Sequence, residues 1–120
     1  MKSANEILAL INQASGTTAY HRYTVLPNFP VITDGVMAVA DAAGCYWLLD
    51  IIGSHQGDSR LDPAFQVWKL AVNKVDGSAV VSGYNDARLI VRQKISYTDF
   101  PLDAMELFMM NGVILLPNEY

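Results

Sequence analysis

The residues able to do acid–base, nucleophilic or metal chemistry are few: two histidines, one cysteine and twelve carboxylates. His21 and His55 lie on either side of Cys45 in sequence, and neither falls in a HExxH, CxxC or comparable spacing, so no metal site is predicted. His21 is expected on an edge strand beside Arg22, and His55 at a helix C-terminus, where the helix dipole favours a cation. Cys45 follows Gly44 at the start of an apolar segment. A helix N-terminus lowers a thiol pKa, but Cys45 shares a face with Leu48 and Leu49, and a free cysteine in that position is ordinarily inert packing.

Asp50 is the most informative carboxylate, because it stands in the middle of an otherwise apolar helical segment, where an unpaired charge is costly. Either a cation such as Lys69 or a tyrosine hydroxyl satisfies it, or it lines a ligand pocket beside Tyr46 and Trp47. Tyr46, Trp47, Asp50 and His55 are therefore the candidate ligand-binding set, in a pocket between a central helix and a sheet. A second candidate is a basic strand face of Arg88, Arg92 and Lys94, joined by Lys69 and Lys74, with aromatic residues nearby. Basic and aromatic residues on a sheet can take single-stranded nucleic acid. Lysines on strands also serve simply to discourage edge pairing, and no RNP-like or glycine-clamp signature accompanies these. The eight glycines form neither GxxxxGK[ST] nor GxGxxG, so no nucleotide cofactor is expected.

The elements that must hold these residues follow from periodicity. Ser3 and Glu6 form a capping box ahead of an apolar stripe of Ile7, Leu8, Leu10 and Ile11, a helix that stops near Ser15-Gly16. Residues 17–25 read as an edge strand, and Pro27 and Pro30 then impose an irregular loop. Thr33 or Asp34 caps a short helix over residues 36–43, Gly44 breaks it, and residues 45–56 form the central helix. Three strands follow at 65–74, 78–83 and 87–97, joined by a turn at Asp76-Gly77 and a second at 83–86, an antiparallel meander. Pro101, Asp103 and Glu106 suit the start of a final helix ending at Asn111-Gly112, and residues 113–116 read as a last short strand. The expected fold is thus α+β: a meander of four to five strands against a central helix and two flanking helices, in one domain over residues 1–120.

Composition narrows the setting. With a single cysteine no internal disulfide can form, and the first residues lack a signal peptide's apolar stretch, so a reducing, cytoplasmic location is expected. The apolar run over residues 35–53 contains Asp41, Asp50 and Gly44, which argues against a membrane span. The net charge of −4 is unevenly spread: −3 over residues 1–64, +3 over 65–98 and −4 over 99–120. Two acidic segments flanking one basic segment predict no tight binding to duplex DNA. The apolar surplus around residues 36–52 and 105–110 predicts a symmetric homodimer.

Tyr46-Trp47-Leu48-Leu49-Asp50 and the segment from Tyr97 through Thr98, Asp99, Phe100, Pro101 and Leu102 to Asp103 are its most distinctive stretches. With Thr33-Asp34-Gly35-Val36, residues 65–70 and residues 112–117, they make the chain resemble a family of small uncharacterised bacterial and phage-associated proteins, over about residues 20–120. The resemblance implies an accessory setting on a mobile element and transfers no catalytic residue. The sequence therefore reads as a non-enzymatic interaction protein with a protein partner. The alternatives are a small enzyme or ligand-binding domain around Asp50, and single-stranded nucleic-acid binding on the basic face.

Overall fold

The computed structural model describes residues 2–14 and 19–120. Ser3 caps the first helix, α1 (Ala4–Gln13), as its spacing from Glu6 predicts: the Ser3 hydroxyl accepts from the Glu6 N–H and the Glu6 carboxylate accepts from the Ser3 N–H at 3.2 Å. The expected stop at Ser15-Gly16 lies outside the described residues. Of the strand expected over 17–25, the described part pairs only at β1 (Tyr20–His21), and the loop through Pro27 and Pro30 leads into a second short strand, β2 (Val31–Thr33), that periodicity did not disclose. Three residues are too few to show a period.

Thr33 then caps α2 (Asp34–Ala43), its hydroxyl accepting from the Val36 N–H at 3.2 Å. Gly44 closes α2 at φ 63, a left-handed conformation that costs glycine nothing. α3 (Tyr46–Ser54) follows at once. The meander is β3 (Gln66–Val72), β4 (Ala79–Asn85) and β5 (Arg88–Ile95). Its second turn sits at Asp86-Ala87, beyond the expected 83–86, because Gly83 belongs to β4: a Cβ there would stand 2.6 Å from the Trp68 ring, which crosses the strand at that point.

The expected final helix is instead a hairpin, β6 (Ala104–Met110) and β7 (Val113–Leu115), followed by a single 3-10 turn, Pro117–Glu119. Met105, Leu107 and Met109 are buried and alternate with the less buried Glu106, Phe108 and Met110, a period of two. Asn111 at φ 50 and Gly112 at φ 84 are the two left-handed residues of the connecting turn. Asn111-Gly112, expected to stop a helix, turns a hairpin, and an acidic pair after Pro101 does not outweigh that alternation.

The strands form one seven-stranded sheet in the order β1-β2-β7-β6-β3-β4-β5, with β2 and β7 parallel and the other neighbours antiparallel. This replaces the four-to-five-strand meander, while the mixed α+β class stands. On one face, Trp68, Leu70, Val81, Met105, Leu107 and Ile114 form a continuous core with Ile7 of α1, Val36 and Val39 of α2, and Leu48, Leu49 and Ile52 of α3. Met105, Leu107 and Met109, counted in the apolar surplus, are consumed inside this core. No helix among the described residues is long and apolar enough to cross a membrane.

Candidate functional site

Trp47, Asp50 and Ile51 recur at the i, i+3, i+4 spacing that puts them on one flank of α3. That flank faces Ile95 at the end of β5 and the chain beyond it, Tyr97 and Asp99, and together they wall an open groove of about 540 Å³. The Tyr97 ring lies across Gly77 of the β3–β4 turn, where a Cβ would approach it to 2.6 Å, and the Thr98 N–H donates to the Gly77 carbonyl at 2.8 Å. Glycine at φ 76 is thus required twice over, for the turn and for the ring. The walls are aromatic and aliphatic, and Asp50 and Asp99 supply negative charge that no described lining cation offsets.

Trp47 is half-buried, and Asp50, whose apolar helical context suggests burial, is exposed. The reason is the same for both: the sheet covers the Leu48-Leu49-Ile52 stripe of α3 and leaves its flank uncovered. Lys69 does not reach Asp50, since it projects from the opposite face of the sheet. Asp50 instead neighbours the hydroxyl of Tyr23, and burial followed by that carboxylate pushes the Tyr23 hydroxyl well above its ordinary value. Tyr46 also turns away from the groove. Its hydroxyl donates to Asp41 at 2.5 Å, its ring lies 6.1 Å from that of Tyr23, and burial with the Asp41 bond raises its pKa to about 12.

His55 is a packing residue. Its ring stacks on Trp68 at 6.0 Å and its Nε2 bonds the Gln93 side chain at 2.8 Å, fastening the end of α3 to β5. Beneath it the Trp68 indole N–H donates to Gln66, and Gln66 exchanges amide bonds of 2.9 Å with Gln56. Cys45 is buried, and burial raises its thiol pKa to about 12, the opposite of what a nucleophile needs. His21, outside the candidate set, pairs with Asp34 at 2.5 Å, and Asp34 also accepts from the Ala19 N–H. No isolated sequence signal distinguishes that pair, because strand and helix meet there only through β1–β2 pairing. Among the described residues no group of three or more His, Cys, Asp or Glu is placed to hold a metal.

The basic face is divided. Lys69, Ser82 and Arg92 are register neighbours on the helix-free face, with Lys94 two residues further along β5. The register slips between Gly83 and Tyr84, a bulge that returns Arg88 to the other face, beside Asn85. Lys69 already stands over the Tyr84 ring at 5.1 Å and opposite Glu106, and Lys74 donates to the Phe100 carbonyl. Arg92 and Lys94 remain exposed on β5.

What fold and site define is an α+β domain whose helices cover one face of a mixed sheet and leave a carboxylate-bearing groove beside its long edge. The chain belongs to a family of unknown function, DUF6876, whose model matches residues 5–120. No curated protein and no solved structure matches it.

Proposed function

We propose that this protein is a non-enzymatic interaction module that holds a protein partner in the groove between α3 and residues 95–99. The observation carrying the reading is that Trp47, Ile51 and Tyr97 are gathered at one concave surface, incompletely buried, with two carboxylates beside them. Aromatic and aliphatic anchors of that kind dominate contact energy at protein interfaces. The two most distinctive segments of the sequence, Tyr46–Asp50 and Tyr97–Asp103, both contribute walls to it. Catalysis is the weaker reading: the single thiol is buried and protonated, and His55 is committed to Trp68 and Gln93. An accessory role on a phage or other mobile element, drawn from the family resemblance, and a reducing cytoplasm, drawn from the single cysteine, complete the proposal.

A photo-crosslinking residue replacing Asp99 tests it in the native host, with the same residue at Ser59 as the control. One discrete protein adduct formed from position 99 but not 59, whose purified partner binds at least tenfold more weakly after Tyr97→Ala, is the expected result; equal labelling from both positions overturns the groove as the contact site.

A further inference from the structure

β5 ends the sheet, and among the described residues no strand pairs beyond it. It runs for eight residues, whereas the strand at the other edge, β1, has two. An unpaired edge of that length presents a row of backbone donors and acceptors. The groove lies alongside: Ile95 is both the last residue of β5 and part of its wall, and the His55–Gln93 bond holds α3 next to that edge. A cleft between an edge strand and a helix is the setting in which an extended peptide can extend a sheet while alternate side chains enter the cleft.

Resting on the groove reading above, we infer that the partner contributes an extended segment that adds an eighth strand to β5, with acidic residues over Arg92 and Lys94 and apolar residues, with a lysine or arginine among them, entering the groove. Charge sets the pattern on both faces. Arg92 and Lys94 are exposed on the helix-free face, so carboxylates at alternate positions of the added strand meet cations. On the helix side the walls are Trp47, Ile51 and Tyr97 with Asp50 and Asp99 beside them, which suits apolar side chains and one cation. A second copy of this chain does not fit the edge. In the register centred on Gln93, symmetric antiparallel pairing of β5 with itself sets Arg92 opposite Lys94 of the other copy, and like charges directly opposed are unfavourable. The bulge at Gly83/Tyr84 twists the strand further from self-pairing.

The test uses the whole chain and a blocked peptide the length of β5, in which glutamate alternates with valine and one valine is replaced by lysine. The expected result is saturable binding that slows amide hydrogen exchange within Arg88–Ile95 and changes the Trp47 fluorescence, Trp68 being buried. A peptide of the same composition with its glutamates grouped together should bind about tenfold more weakly, because period two is lost. Arg92→Glu with Lys94→Glu, both at exposed positions, should weaken the alternating peptide by about tenfold and strengthen one with lysine in place of glutamate. Equal affinity for the grouped peptide, or no binding of the alternating one at millimolar concentration, overturns strand addition. Binding that alters Trp47 fluorescence while β5 amides stay unprotected also overturns it, and in that case the groove reading survives; loss of both signals together with a failed crosslink at position 99 removes the groove as well.

Discussion

The two edges of the sheet are finished in opposite ways. At the β1 edge, two residues of strand are tied down by side chains: His21 bonds Asp34, and the Thr33 hydroxyl, while capping α2, donates to Glu119 of the last turn at 2.7 Å. Glu119 also accepts from the Leu116 N–H at 2.9 Å and stands at the positive end of α2, so close to Gly35 that a Cβ there would meet its carboxylate at 2.8 Å. At the β5 edge, eight residues of strand end beside an uncovered helix flank, with polar contacts placed underneath, in the His55–Trp68–Gln66 stack. The bonds of His21, Asp34, Thr33 and Glu119 tie β1, α2 and the last turn together at the β1 edge. Polar groups that brace a strand from below leave its rim open for contact.

That contrast is broken most directly at the two tryptophans. Trp68→Ala should cost about 3–5 kcal/mol, because the ring is buried, hydrogen-bonded and fitted over Gly83, whereas Trp47→Ala should cost about 1 kcal/mol from its half-buried site. Urea melts of both variants measure the difference; equal losses would make Trp47 part of the brace and close the groove as a contact surface.

Cys45 sharpens the picture of what lies behind the groove. Its thiol pKa rises from 9.0 to about 12 in the folded chain because the buried thiolate is poorly solvated. The unfolded chain therefore releases the proton first, and stability should fall by about 1.4 kcal/mol per pH unit between those values. Cys45→Ala should remove that component, most cleanly in melts taken at pH 9 to 10, leaving the slope that Tyr23 and Tyr46, whose pKa values are also raised, add as pH passes about 10. An unchanged slope would mean the thiol is not buried.

Thr33→Val tests the closed edge. It removes the cap of α2 and the donor to Glu119 together, and should cost about 1–2 kcal/mol in the same melts. A loss indistinguishable from zero would show that the last turn is not fastened through Thr33.

The smallest effect belongs to Asp50→Asn. An exposed carboxylate should change stability by no more than about 0.5 kcal/mol. The same variant should lower the Tyr23 pKa, since the Asp50 charge helps raise it, and spectrophotometric titration of the tyrosines reads that shift. A large loss of stability would return Asp50 to the buried role its sequence context suggests.

How far such roles were legible depended on whether local pattern or long-range pairing decided them. The Ser3–Glu6 box, the Thr33 cap, the Gly44 break and the three-strand meander are written in neighbouring residues, because caps and turns are contacts across three or four positions. The candidate site was half legible. Asp50 was found because a charge interrupts an apolar helix, and Trp47 as its neighbour, but Tyr97 and Asp99 were not, since nothing local links residue 47 to residue 99. Tyr46 and His55 were grouped with them by proximity in sequence and prove to face Asp41 and Trp68.

The sequence by itself determined the helix caps, the break after α2, the unpaired thiol, and the three strands with their basic residues. Only the tertiary structure decided that residues 104–110 extend rather than coil, that β2 and β7 run parallel, that Arg88 parts from Arg92 and Lys94 at a bulge, and that the flank of α3 carrying Trp47 and Asp50 stays open. The physical reason is common to all four. A stretch such as Ala104–Met110 satisfies helical and strand periods nearly equally, and its choice rests on the hydrogen bonds that β3 offers on one side and β7 on the other, partners more than thirty and fewer than ten residues away in the chain.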